Sequence, residues 1–160
     1  MQLHNGHVDQ AVQAKRSPEH GFVLAGALLG VVLLAVLAWF VAPDPRGYGT
    51  HEKLGLPPCA MMKLFHVPCP GCGVTTSVTL AAHARFLDAA RTQPFGLVVA
   101  LAIPLAAVWA VAGHFRGRDL YRDLSAVRLR PWLWWIGGAL ALSWFYKVAV
   151  VLGALPSLSS

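Results

Sequence analysis

Residues 22–42 read FVLAGALLGVVLLAVLAWFVA, a stretch of 21 residues without a charged side chain. As an α-helix rising about 1.5 Å per residue it is about 32 Å long, enough to cross a hydrocarbon core of about 30 Å. The stretch exceeds the apolar core of a secretory signal peptide, about 7 to 15 residues, and no good small-x-small cleavage site precedes Pro43. It therefore predicts an uncleaved transmembrane helix.

Two further apolar stretches predict two more spans. Residues 95–113 contain no charged side chain, and residues 132–155 contain a single one, Lys147. With 56% hydrophobic and 12% charged residues, the chain has the composition of a membrane protein. We expect an all-α integral membrane protein with about three spans. A single membrane domain, 22–155, would be flanked by a polar N-terminal tail, 1–21, and a short C-terminal tail, 156–160.

The positive charges indicate a lipid partner and an orientation. The chain has 13 Lys and Arg against 7 Asp and Glu, a net charge of +6. Because these cations flank apolar stretches, they favour anionic lipid headgroups over nucleic acid. The N-terminal tail and the loop 114–131 hold seven cations, whereas the longer connection 43–94 holds five. The positive-inside rule then predicts that the N-terminus and the loop 114–131 are cytoplasmic.

The connection between the first two spans is too apolar to be a plain loop. Residues 54–67 read LGLPPCAMMKLFHV, and apolar residues recur at helical spacing from Val74 to about Ala90, which predicts a short helix there. The prolines that forbid a continuous helix before it are Pro57, Pro58, Pro68 and Pro70. Irregular backbone at membrane depth needs partners for its polar groups. We therefore expect residues 54–91 to form an interfacial or re-entrant segment packed against the spans.

The most distinctive part of this segment is PCPGCGVTT, residues 68–76. It places two thiols two residues apart, and its glycines permit sharp turns immediately before the short helix. The residues assigned to this motif are Cys59, Pro68, Cys69, Pro70, Gly71, Cys72, Gly73, Thr75 and Thr76.

Three short motifs resemble a family of small, uncharacterised bacterial membrane proteins with a CPxCGxT core. They are GTHEKLGLPPC at 49–59, FHVPCPGCGVTT at 65–76 and QPFG at 93–96, where the second span begins. The resemblance implies a multi-pass protein of the bacterial inner membrane. It also implies a domain of unknown function, and hence no particular reaction. The sequence departs from the family at His83-Ala84-Arg85, where the resemblance leads us to expect an Arg-Gly turn.

A metal site is one function that the cysteines allow. Structural zinc takes about four ligands in a tetrahedral array, and CxxC is a common half of such sites. Cys59, His66, Cys69 and Cys72 supply four ligands within fourteen residues, and His51 could replace His66. Zinc is the cofactor that this interpretation predicts.

Thiol redox chemistry is a second alternative. Cys69 and Cys72 have the spacing of redox-active pairs, and a helix that begins beside Cys72 would favour its thiolate. Cys72 would then be the catalytic nucleophile, Cys69 its partner and Cys59 a resolving thiol. The βαβ pattern of thioredoxin-like proteins is missing from the sequence, which counts against this alternative.

A structural turn is the third alternative, and the one that we favour. Cys69 and Cys72 would form a disulfide or serve as small buried apolar groups. The sequence contains no P-loop, no paired carboxylates and no HExxH helix. We therefore predict a non-catalytic scaffold or accessory component, with another membrane protein as a candidate partner. Metal binding and thiol–disulfide exchange remain the alternatives.

Two polar features complete the prediction. Hydroxyl groups cluster at the start of the short helix, where we expect them to cap backbone N–H groups rather than contact neighbouring helices. They belong to Thr75, Thr76, Ser77 and Thr79. Lys147 is an intramembrane charge with Asp88 as a candidate partner. Because it is eight residues, about 12 Å, from the end of its span, we expect its side chain to snorkel to the outer interface.

Overall fold

The computed structural model describes residues 17–153, a range that contains helices, turns and loops but no strand. Residues 1–16 of the predicted N-terminal tail, the last two residues of the predicted third span and the tail 156–160 lie outside the described residues. The helices are α1 (His20–Phe40), a 3₁₀ helix (Thr50–Leu54), α2 (Ala60–Phe65), α3 (Val74–Ala82), α4 (Phe86–Thr92), α5 (Pro94–Phe115), α6 (Leu120–Ser125) and α7 (Leu129–Val151).

Three of these helices, α1, α5 and α7, are long and apolar enough to cross a membrane. Their mean hydropathies are 2.7, 2.4 and 1.3, and their bounds lie within a few residues of the predicted spans. Large apolar side chains on them are exposed, including Trp39 at 84% and Trp134 at 78%. Such surfaces are stable in hydrocarbon rather than in water. The prediction of an all-α protein with three spans is therefore confirmed.

Within residues 17–153 the chain divides into two compact units. Residues 17–31 and 103–129 form the first. Asp119 accepts hydrogen bonds from the backbone N–H and hydroxyl of Ser17, at 2.7 and 2.9 Å, and caps α6 at its start. His20 Nδ1 accepts the backbone N–H of Leu120 at 3.1 Å. These contacts fix the start of α1 against the start of α6.

The second unit comprises residues 32–102 and 130–153 and holds the sequence motifs. Its apolar core is small and centred on α3, with buried side chains from α3, α4 and the first half of α5. The buried residues are Val78, Leu80, Ala81, Ala89 and Ala100, and Leu34 and Leu37 of α1 pack against them. Small side chains dominate this core, which lets the helix backbones approach closely.

The short helix predicted from Val74 to about Ala90 is in fact two helices. α3 ends at Ala82, and α4 begins at Phe86. Between them Ala84 has a left-handed conformation, φ 60°, and Arg85 N–H donates to Leu80 O at 2.9 Å. The prediction of one helix was wrong because this turn interrupts it. The turn lies at residues 83–85, where the family resemblance led us to expect an Arg-Gly turn. Its left-handed residue is Ala84 instead of a glycine.

Candidate functional site

The CPGCG turn, residues 69–73, connects α2 to α3. Its backbone is closed by hydrogen bonds from Cys72 N–H to Cys69 O, 2.9 Å, and from Val74 N–H to Gly71 O, 3.2 Å. Gly73 has φ 89°, and a Cβ there would stand 2.9 Å from the carbonyl oxygen of Gly47. Glycine is thus required at position 73 for two reasons, its left-handed backbone and the close approach of a second segment.

Three thiols converge at this turn. The Sγ atoms of Cys59, at the start of α2, and of Cys69 and Cys72 all lie within 4.8 Å of one another. Cys69 Sγ is 3.4 Å from Cys72 Sγ, longer than a disulfide bond of about 2.05 Å. Thiolates bound tetrahedrally to zinc at about 2.3 Å are about 3.8 Å apart. The trio therefore has the dimensions of three corners of a metal–thiolate site.

The three thiols are electrostatically unequal. Burial raises the pKa of Cys59, but interactions with the Met62 backbone N–H and the thiols of Cys72 and Cys69 outweigh it, and the pKa falls to about 7. Cys72 is buried, and burial together with the thiols of Cys69 and Cys59 raises its pKa to about 12. Cys59 is thus the thiol that ionises first when no metal is bound.

Comparison with known proteins bears on this segment. Residues 59–110 match a family described as a protein of unknown function, DUF2752. The resemblance predicted from the three motifs is therefore confirmed over this part of the chain. No curated protein and no solved structure is significantly similar to the sequence.

The DUF2752 segment begins at Cys59 and holds all three thiols, together with α2, α3, α4 and most of α5. The residues outside this segment that pack against it or bond to it are in α1, in the connection before Cys59 and in α7. The site is therefore completed by parts of the chain beyond the DUF2752 match.

From α7, three side chains donate to backbone carbonyl groups around the site. Trp144 Nε1 donates to Pro68 O at 2.8 Å, and Tyr146 Oη donates to Arg91 O at 2.8 Å. Lys147 Nζ donates to Gly47 O at 2.9 Å and to Thr92 O at 3.2 Å. These bonds satisfy the carbonyl groups of Gly47 and Pro68, which lie outside the helices, and those of Arg91 and Thr92 at the end of α4.

The predictions that Lys147 snorkels to the interface and that Asp88 is its partner were therefore wrong. Its side chain is only 4% exposed and does not snorkel, because two carbonyl groups within reach accept its ammonium protons. The candidate partner Asp88 pairs instead with Arg85 at 2.8 Å, three residues earlier in the chain.

The expectation that the hydroxyl groups cap α3 was also wrong. Its N-cap is Gly73, and no side chain bonds the cap. Thr76 Oγ1 is instead 2.8 Å from Thr50 Oγ1, which accepts the backbone N–H of Asp44 at 3.0 Å. Ser77 Oγ lies 2.8 Å from two carbonyl oxygens, those of Ala89 and Gln93. The hydroxyl groups of Thr76 and Ser77 are buried and hold neighbouring segments against α3.

The QPFG motif has a physical explanation within the DUF2752 segment. Gln93 is fully buried, and its Nε2 lies 3.5 Å from Pro70 O, while its Oε1 has no hydrogen-bond partner. A Cβ at Gly96 would stand only 2.7 Å from Ser77 Cβ. The motif thus brings α5 into direct contact with α3 beside the turn.

The structure separates the predicted histidine ligands from the thiols. His66 follows α2 in a left-handed conformation, φ 55°, and is exposed. His51 is half-buried in the 3₁₀ helix. The group of metal-binding side chains found within residues 17–153 consists of the three cysteines alone.

Sequence reasoning missed several residues that shape the site. Gly47, Thr50, Gln93 and Trp144 all bond or contact the turn and its helix. Thr50 and Gln93 belong to the GTHEKLGLPPC and QPFG motifs, so the resemblance was a signal for them. Gly47 and the donor role of Trp144 had no signal in spacing or composition.

Proposed function

We propose that the protein is a multi-pass membrane protein that binds one thiophilic metal ion through Cys59, Cys69 and Cys72. The convergence of the three Sγ atoms within 4.8 Å supports this proposal most directly. Soft thiolate ligands select ions such as zinc or monovalent copper.

The position of Cys59 supports a metal site over a simple turn. The turn is closed by backbone hydrogen bonds between residues 69–74, and none of them needs a thiol. Cys59 lies ten residues before Cys69 in sequence, and α2 intervenes, yet its Sγ joins the pair. A turn in which the cysteines serve only as small buried groups does not require this third thiol. The scaffold or accessory role predicted from the sequence is compatible with such a site if the metal is structural.

Three thiolates leave one coordination position for a further ligand. Catalytic and exchangeable metal sites keep such a position open, whereas structural zinc sites fill it with a fourth protein ligand. Cys59 and Cys69 are partly exposed and Cys72 is buried, so a fourth ligand would approach from the exposed side of the turn. Water, a substrate group or a partner's side chain could occupy this position.

Thiol–disulfide exchange is a second candidate, favoured by the 3.4 Å separation of Cys69 Sγ and Cys72 Sγ. In that reaction the two thiols would form one S–S bond and lose two protons and two electrons. A substrate disulfide would accept them and leave as two thiols. Alternatively, Cys59 would be the resolving thiol and take the place of Cys69 in that S–S bond, by attacking the mixed disulfide that Cys72 forms with the substrate.

We further propose the bacterial inner membrane as the location, with the N-terminus and the loop 114–131 in the cytoplasm. The asymmetry of Arg and Lys supports this orientation. Arg116, Arg128 and Arg130 are exposed in or beside that loop and would contact anionic lipid headgroups. The thiol site would then face the extracytoplasmic side.

The metal proposal is tested by the mass of the detergent-purified protein under native and denaturing conditions, with and without reductant and a thiol-blocking reagent. We expect one metal ion in the native protein and three blockable thiols after denaturation, with the metal lost in Cys72→Ser. A mass two daltons low that reductant restores would instead support exchange chemistry. Three free thiols without metal would reject the metal site and favour a structural turn.

The orientation is tested on intact cells with a membrane-impermeant maleimide. Engineered cysteines in a variant lacking the native three should react at position 53 and not at position 126. The reverse pattern would reject the proposed orientation without affecting the metal proposal.

A further inference from the structure

Within residues 17–153, Lys147 is a buried cation without a carboxylate partner. Its side chain is 4% exposed, and its ammonium group donates to the carbonyl oxygens of Gly47 and Thr92. The ion pairs within residues 17–153 all join arginines to carboxylates, and none includes Lys147. Two carbonyl dipoles thus solvate the ammonium group, but no carboxylate balances its charge.

A buried charge in this position is costly unless a negative group is near. Removing an ammonium ion from water carries a penalty of several kcal/mol, which carbonyl dipoles offset only in part. Charged side chains within membrane spans therefore face the protein interior and pair with a group of opposite sign or with backbone carbonyl groups. Lys147 has the carbonyl partners, and a negative group nearby would offset the remaining cost.

The thiol site is next to the ammonium group. Gly73 directly follows Cys72, and a Cβ at Gly73 would stand 3.3 Å from Lys147 Cε and 3.4 Å from Nζ. Cys72 is itself buried, with 4% of its surface exposed. An ammonium group has three donors, and the two carbonyl bonds occupy two of them.

On the basis of the proposed metal site, we infer that Lys147 is the counter-charge of the three thiolates and that the bound ion is divalent. Three thiolates carry three negative charges, and a divalent ion together with one ammonium group cancels them. A monovalent ion would leave one negative charge uncompensated in a region of low dielectric, where net charge is strongly disfavoured. The charge of Lys147 therefore favours zinc or a similar divalent thiophilic ion over monovalent copper.

The test is a zinc-affinity measurement by chelator competition on the full chain in detergent. Lys147→Gln keeps amide donors but removes the charge, and we expect it to weaken zinc binding by about 10- to 100-fold, the usual effect of losing a group that supports metal ligands. Lys147→Arg keeps the charge and should restore most of the affinity. Tyr146→Phe is the matched control, because it removes one hydrogen bond from α7 to a backbone carbonyl without changing any charge.

The outcomes separate the two proposals. If the wild-type protein binds no metal through its thiols, the metal site itself is wrong. If the wild-type protein binds zinc and Lys147→Gln binds it equally tightly, or Lys147→Arg loses as much as Lys147→Gln, only the counter-charge is wrong. Should Lys147→Gln fail to fold, the identity of the ion that co-purifies with the wild-type protein decides: a divalent ion supports the inference and a monovalent ion overturns it.

Discussion

The helix α1 and the connection that follows it, residues 41–93, achieve stability in opposite ways. None of the most apolar stretch of α1 is buried inside the protein, so hydrocarbon is the environment that stabilises its side chains. In the connection, buried polar groups are matched to one another: Thr50 bonds Thr76, and Ser77 bonds the carbonyl groups of Ala89 and Gln93. The helix α1 therefore tolerates exchange of one apolar residue for another, whereas the connection depends on particular polar atoms at particular positions.

The largest expected difference is in thiol reactivity, because Cys59 and Cys72 both lie in the connection but have very different pKa values. The pKa of Cys59 is lowered to about 7 and that of Cys72 is raised to about 12. Since the thiolate is the nucleophile, alkylation of Cys59 in the metal-free protein should accelerate as the pH rises through about 7 and exceed that of Cys72 at least about tenfold. A pH series with mass mapping measures both rates, and equal rates would contradict the electrostatic difference.

Two glycine substitutions compare α1 with the place where α5 packs against the connection. Gly96→Ala places a Cβ 2.7 Å from Ser77 Cβ and 2.9 Å from Val74 O, so α5 must move away from α3. We expect a loss of about 1 to 3 kcal/mol of unfolding free energy, typical of overpacking. Gly26→Ala in α1 meets nothing within 4 Å and should gain up to about 1 kcal/mol from helix propensity. Denaturation in detergent measures both, and similar effects at the two positions would remove the contrast.

Thr76→Val tests the buried hydroxyl pair. The change preserves shape but leaves Thr50 without its hydroxyl partner, 2.8 Å away, and should cost about 1 to 2 kcal/mol of unfolding free energy. Thr75→Val is the control, since the Thr75 hydroxyl makes no hydrogen bond within the described residues and is only half-buried. If the two variants melt at the same temperature, the hydroxyl pair of Thr50 and Thr76 contributes nothing to stability.

Ala84→Gly should change the unfolding free energy least, and it should increase it. Ala84 has φ 60°, a conformation that costs an L-residue about 1 kcal/mol or more, and glycine removes that strain. Because glycine also gives the unfolded chain more freedom, the net gain should be about 0.5 kcal/mol. Ala82→Gly, at the last residue of α3, should lose stability. Thermal unfolding of the two variants distinguishes the two positions.

The sequence predicted well those features that depend on composition. The three spans followed from hydropathy, and the thiol pair followed from its spacing. The burial of Lys147 could not be predicted, because it depends on carbonyl groups of Gly47 and Thr92 that are distant in the chain. The hydroxyl groups of α3 were misassigned for the same reason: their partners are set by tertiary packing, whereas capping is a local rule.

The bonds from α7 also impose an order on biosynthesis. Pro68 O is bonded by a side chain 76 residues later, and Gly47 O by one 100 residues later. A ribosome delivers the cysteines to the membrane well before it delivers Trp144 and Lys147. During that interval the turn lacks its donors, and its thiols are open to oxidants and chaperones. Assembly of the thiol site is therefore complete only after α7 has been synthesised, although every residue described in it belongs to one chain.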